Sequence, residues 1–193
     1  MLLLIVWALS FGVNAQSDPA TDYKNFPIIV TLQFHAFAVP FRDFASNFKN
    51  VGIGLGTEVS LNGNDNWVQQ FNLIWYKNKA LGNGLHMNTQ TTWRPTIGKE
   101  GYSEIRLGVG YLYSFRPQTA FRQINGEWVS QAHQGKMMLT IPVGIAFGYH
   151  NYTSGTQVSP FLGYQLMLVN QYSKSIPLVP ETLVQAGTRI HTK

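Results

Sequence analysis

Apolar and polar residues alternate along most of this chain. In NVGIGLGTEVSLNG (50–63), Val51, Ile53, Leu55, Thr57, Val59 and Leu61 alternate with Gly52, Gly54, Gly56, Glu58 and Ser60. A strand sends successive side chains to opposite faces, so this stretch has one aliphatic face and one nearly bare face carrying a carboxylate. The same period of two runs through 28–38, 67–76, 85–95, 103–115, 137–149, 158–168 and 182–191. With 50–61, these segments predict eight strands. Only Phe41, Phe44 and Phe48, in one connection, fall at helical spacing.

The strands have the length of a membrane wall. About eleven residues rising about 3.3 Å each, tilted by roughly 40°, cross the apolar layer of an outer membrane. The connections alternate in length as well. Those after the first, third, fifth and seventh strands are long (39–49, 77–84, 116–136, 169–181), and those between are short (62–66, 96–102, 150–157). Long external loops and short periplasmic turns are the asymmetry of transmembrane barrels. On that topology Trp67, Trp93, Tyr102 and Tyr149 are expected at the inner membrane edge. Trp75, Tyr76, Tyr111, Tyr113 and Phe115 are expected at the outer one, forming two belts of amphipathic rings.

Composition decides which face is wet. A soluble eight-stranded barrel also alternates, but with its polar face outward, and such faces carry many Lys, Glu and Asp. Here only 12% of residues are charged, about half the usual share, and no lysine points from the polar face of any strand. Gly, Gln, Asn, Thr and Ser instead suit a crowded interior. The apolar face therefore meets lipid, where every backbone N–H and C=O must be paired within a closed sheet.

Five charges do enter the strands. Glu58, Arg94, Glu104, Arg106 and Arg189 all fall in the periplasmic half of the expected interior. Three guanidiniums and two carboxylates can form a cross-barrel network, because the guanidinium fork pairs bidentately with carboxylate. Such a network is expected to plug the barrel and fix its fold.

The remaining candidate chemistry is sparse. Residues 2–13 (LLLIVWALSFGV) are too short to span a bilayer as a helix, and Val13-Asn14-Ala15 suits signal peptidase. The chain therefore reads as a leader, 1–15, followed by one barrel domain, 16–193. There is no cysteine. Gly52, Gly54 and Gly56 lie within a strand, so they make no phosphate loop. His35, His86, His133, His150 and His191 show no metal-ligand spacing, and neither a cofactor nor a metal is expected. For an outer-leaflet lipid enzyme, His86 or His133 would supply the base and Ser130 or Ser173 a hydroxyl, though no spacing singles these out. The external connections carry Arg42, Lys49, Lys77, Lys79, Arg116, Arg122, Lys136 and Lys174 against Asp43, Glu127 and Glu181, a difference equal to the net charge of +5. A cationic rim of this kind attracts lipopolysaccharide phosphates. The basic residues are scattered without a stacking platform, which argues against nucleic acid. Loop 116–136 exceeds the usual connection length and holds Phe121, Arg122 and Trp128, the residue types enriched at binding hot spots.

The segments VPFRDFASNFKNVGIGLGTE (39–58), EIRLGVGYLYSF (104–115), SPFLGYQ (159–165) and LVQAGTRI (183–190) resemble the small OmpA/OmpX-type outer-membrane β-barrel proteins of Gram-negative bacteria. The resemblance extends more narrowly to a group of uncharacterised envelope proteins. It implies an all-β, closed, antiparallel eight-stranded barrel with both termini in the periplasm, and it brings no catalytic residues to carry over. The chain departs from the pattern in ending at Lys193 rather than at an aromatic residue. The expected function is non-catalytic: an envelope scaffold, or an accessory subunit of a larger outer-membrane transporter or assembly, acting through the external loops. The alternatives are a narrow channel for ions or small solutes and the lipid-modifying enzyme.

Overall fold

The computed structural model describes residues 26–36, 48, 50–78, 82–115, 120–124, 127–131, 135–150, 157–170 and 178–191. The strands in chain order are β1 (Ile28–Ala36), β2 (Val51–Ser60), β3 (Trp67–Tyr76), β4 (Asn83–Trp93), β5 (Thr96–Ile97), β6 (Gly101–Phe115), β7 (Ala120–Ile124), β8 (Glu127–Gln131), β9 (Lys136–Tyr149), β10 (Gln157–Asn170) and β11 (Leu178–His191). Eight of them form a closed antiparallel barrel. Each long strand pairs with its neighbours in sequence, and β1 closes the ring against β11 from Ile28↔Ile190 to Ala36↔Thr182. Closure pairs the sheet edges, which hydrocarbon would otherwise leave without partners. The expected leader, 1–15, lies outside the described residues.

Alternation sorts the wall into two faces. Along β9, Met137, Leu139, Ile141, Val143, Ile145 and Phe147 are exposed, while Met138, Thr140, Gly144 and Ala146 are buried. Bulky aliphatic and aromatic residues cover the outside on every long strand, with 59% of Ile53 and 58% of Leu107 exposed. A water-facing surface does not display a contiguous apolar band of this extent.

Three departures from simple alternation have identifiable causes. Pro142 supplies no N–H, and the β6–β9 ladder is broken between Leu107↔Val143 and Gly110↔Thr140. Strand β11 starts at Leu178, four residues before the alternating run at 182. Pro180 sits there opposite Leu168 of β10, and its missing N–H interrupts no ladder among the described residues of β1, whose last pair is Ala36↔Thr182. Within the long connection 116–136, β7 and β8 form an antiparallel ribbon, with Ile124 opposite Glu127. Only Asn125 and Gly126 separate them, the strongest short-range hairpin signal.

Two rings that sequence places in the membrane belts turn inward. Tyr102 is 1% exposed and Tyr76 3%, whereas Trp67, Trp75, Trp93, Tyr111, Phe115 and Tyr149 stay outside. Each inward ring lies across a glycine on the adjacent strand: Tyr76 opposes Gly84 and Tyr102 opposes Gly148. A Cβ on Gly148 would collide with the Tyr102 ring and approach the Pro160 carbonyl at 2.7 Å. Gly148→Val is therefore expected to destabilise the barrel by about 1–3 kcal/mol, the usual cost of overpacking, read from urea unfolding in lipid vesicles. Ile97, exposed at the short turn, should tolerate substitution by comparison.

Candidate functional site

The interior is filled in layers, and the charges occupy the end nearest the short turns. Glu58 near the end of β2, Arg94 just past β4, Glu104 and Arg106 early in β6, and Arg189 late in β11 all point inward because of strand parity. The structure brings all five together. Glu104 accepts hydrogen bonds from Arg94 Nε at 2.6 Å, Arg189 Nη2 at 2.6 Å and Arg106 Nε at 2.8 Å, with Arg106 Nη2 on the same carboxylate. Glu58 accepts from Arg94 Nη2 at 2.7 Å, Arg189 Nε at 3.2 Å and Gln70 Nε2 at 2.9 Å. All five side chains are nearly inaccessible.

Aromatic rings brace this network. Arg189 Nη1 donates to the Tyr102 hydroxyl at 2.6 Å, and the guanidiniums of Arg94 and Arg189 lie 5.5 Å from the Tyr102 centroid. On the opposite side Phe161 lies 4.4 Å from Arg189 and 5.0 Å from Arg106. The negative ring faces add attraction to a cluster with one surplus cation. At the rim, past the end of β9, His150 packs on Tyr102 with ring centroids 4.3 Å apart and approaches Asp65 at 3.3 Å. Burial, with Arg94 and Arg189 nearby, pushes the His150 imidazole down to about 4 against the pull of Asp65.

Next come amides. Arg106 Nη1 donates to Gln185 Oε1 at 2.9 Å, and Gln185 Nε2 and Gln90 Nε2 both donate to Gln165 Oε1, at 3.2 and 3.1 Å. His86 bonds Thr140 Oγ1 at 2.9 Å and Asn88 at 3.2 Å. This makes it a lining residue held between neutral partners.

Towards the long loops the interior turns apolar: Ile74, Tyr76, Leu112, Met138, Met167 and Val169 form one buried cluster. Strict alternation does not anticipate this layer. The signal is present nonetheless, in the continuous apolar runs LIWY (73–76), YLY (111–113), MML (137–139) and LMLV (166–169). A strand apolar on both faces reads as unbroken hydrophobicity.

A second polar cluster closes that end. His35 Nε2 and the Tyr76 hydroxyl each lie 2.9 Å from Glu181 Oε2, and Asn78 Nδ2 lies 3.1 Å from His35 Nδ1. The Tyr76 ring stacks on His35 at 4.1 Å. Glu181 is thus a buried strand residue and not one of the external loop acids, because β11 begins four residues earlier than its alternation shows.

The expected recognition residues lie on the ribbon of β7 and β8. Its register places residues 121, 123, 128 and 130 on one face and 122, 124, 127 and 129 on the other. Phe121 and Trp128 thus share a face that Arg122 does not. Phe48, read from sequence with Phe41 and Phe44 as one aromatic face, lies 5.1 Å from Phe34 on the outside of the wall. Phe41 and Phe44, together with Arg42, Asp43, Lys49, Lys79, Arg116, His133 and Lys174, lie outside the described residues.

A closed eight-stranded wall, apolar without and filled within, defines an integral outer-membrane β-barrel protein. Solved structures of this class align along nearly the whole barrel. Neisserial surface protein A (NspA) matches with a TM-score of 0.57 at 9% identity, over 86% of this chain and 97% of that one. Ail, the attachment invasion locus protein of Yersinia pestis, gives 0.49 at 12% identity over 86% and 97%. The N-terminal barrel domain of Pseudomonas aeruginosa OprF gives 0.45 at 11% over 85% and 96%. At these identities the NspA match speaks for the fold alone. No protein-family model and no curated protein sequence matches the chain.

Proposed function

We propose that this protein is a non-catalytic envelope component, a membrane-anchored scaffold or accessory subunit of a larger outer-membrane complex that engages its partner through the external loops. One observation carries the reading: the interior is packed by charges, amides and apolar side chains in succession, while a β-ribbon is built into the longest loop. An eight-stranded barrel has only enough room for side chains, so its useful surface lies outside the wall. The packing favours this reading over a narrow channel. The burial of His86 inside the wall, held on Thr140 and Asn88 away from any lipid-facing surface, favours it over an outer-leaflet lipid enzyme.

On this reading the five-charge network is a structural plug, and the ribbon carrying Phe121, Arg122 and Trp128 is the recognition element. The cationic rim, without Glu181 as a loop acid, attracts lipopolysaccharide phosphates more strongly than the sequence count suggests. Cleavage before Gln16 would release the barrel domain. Crosslinking in intact cells, followed by mild-detergent purification, tests the reading. A discrete adduct with an outer-membrane protein is expected, and Phe121→Ala with Trp128→Ala should reduce it several-fold while leaving the barrel folded. A chain always recovered alone would count against the subunit role.

A further inference from the structure

The amide layer contains a small closed cavity, and the polar atoms around it specify what it holds. Room for the centre of a water-sized body is about 10 Å³, lined by Thr31, Gln33, Gln70, Asn72, Arg106, Gln165 and Gln185 with apolar neighbours. That is about the space of one water. Two atoms of the lining make no hydrogen bond with any described residue: Gln33 Oε1 and Gln165 Nε2. Both residues are 1% exposed, so bulk solvent reaches neither.

The direction of the surrounding hydrogen bonds fixes which atom Gln165 presents. A guanidinium can only donate. Arg106 therefore requires the oxygen of Gln185, which turns the Gln185 amide nitrogen towards the oxygen of Gln165. Gln90 donates to that same oxygen. The chain of donors starts at Arg106 and ends with the Gln165 N–H as an unused donor. Across the cavity Gln33 uses its nitrogen on Thr31 Oγ1 at 2.7 Å and is left with an acceptor. The two buried lining atoms without a partner are thus one donor and one acceptor, beside the space of a single small molecule.

We infer that this cavity is a binding site for one ordered water, which accepts from Gln165 Nε2 and donates to Gln33 Oε1. A water matches both atoms and the volume, and buried waters usually occupy sites of this kind. A halide would match Gln165 and the nearby guanidinium but would face the Gln33 oxygen. The site ties β1 to β10 across the interior, between strands that share no ladder. Arg106 of the charge network and Ile74 of the apolar layer both line it.

A high-resolution crystal structure of the refolded wild-type barrel, with a second crystal soaked in bromide, tests this. The expected result is one peak within hydrogen-bond distance of Gln33 Oε1 and Gln165 Nε2, with no anomalous signal. An anomalous peak would make it an anion site, and an empty or collapsed cavity would remove the site; either overturns the inference. Urea midpoints give a second readout. Gln33→Leu and Gln165→Leu should each lower the midpoint, and the double variant should lose less than the sum because one shared water links them. Strictly additive losses would contradict a bridging water.

Discussion

Glu104→Ala is expected to destabilise the barrel by about 3–5 kcal/mol or more, the cost of leaving buried charge uncompensated. The reason is the position of Glu104 at the centre of the network, where all three guanidiniums donate to its carboxylate. Removing it leaves three cations against Glu58 alone. Domains of this kind commonly have only about 5–15 kcal/mol in hand, so much of the stability would go. The effect should be asymmetric. Arg106→Met removes the surplus cation, leaves two charges of each sign, and keeps Arg94 and Arg189 on Glu104. It should cost well under half as much. The two changes combined should fall short of additivity, because the second substitution removes one of the groups the first leaves unpaired. Urea titration followed by tryptophan fluorescence in lipid vesicles would measure all three. Equal losses for Glu104→Ala and Arg106→Met would show that water screens the cluster.

The second large effect lies on the other face. Val143 is at the middle of β9, opposite Leu107 and Leu166, and is 40% exposed in the isolated chain. On the surface of a soluble barrel, Val143→Arg would be nearly neutral, since exposed substitutions commonly stay within about 0.5 kcal/mol. With lipid outside, the same change should cost about 2–4 kcal/mol, as expected for a cation held at the bilayer midplane. Moving the substitution to Phe147, near the short-turn rim, should shrink the loss as the guanidinium reaches the headgroups. A depth-dependent series along β9 is the signature of a membrane, and packing defects alone would not produce it.

Much of the fold was legible because one physical rule governs most of it. A single-walled barrel in lipid must alternate, and the eight alternating segments of the sequence correspond to the eight long strands. Reading stopped where a second constraint competed with that rule. At the outer ends of β3, β6, β9 and β10 the interior itself is apolar, so alternation fades and the inward turn of Ile74, Leu112, Met138 and Met167 is marked only by unbroken apolar runs. Tyr76 and Tyr102 have the composition of belt residues, but each fills the space over a facing glycine. Parity assigns both to the inward face, had it been weighed above residue type. Pro180 conceals the first residues of β11, and with them the place of Glu181 beside His35 and Tyr76. The Asn125-Gly126 pair announces the ribbon, which the length of the loop obscured. For the interior site, parity was sufficient to gather the five charges on one face and at one end. It carried no information on their partners, since pairings such as Arg189 with Tyr102, 87 residues apart, depend on how the strands stagger around the ring.

The orientation of the wall underlies everything else, and spin labels walked through residues 139–147 in lipid vesicles test it most directly. Odd positions should be accessible to oxygen, which concentrates in hydrocarbon, and protected from a water-soluble nickel reagent. Even positions should be protected from both. Nickel accessibility at 139, 141, 143 and 145 in the middle of β9 would place water, and not lipid, against the apolar face.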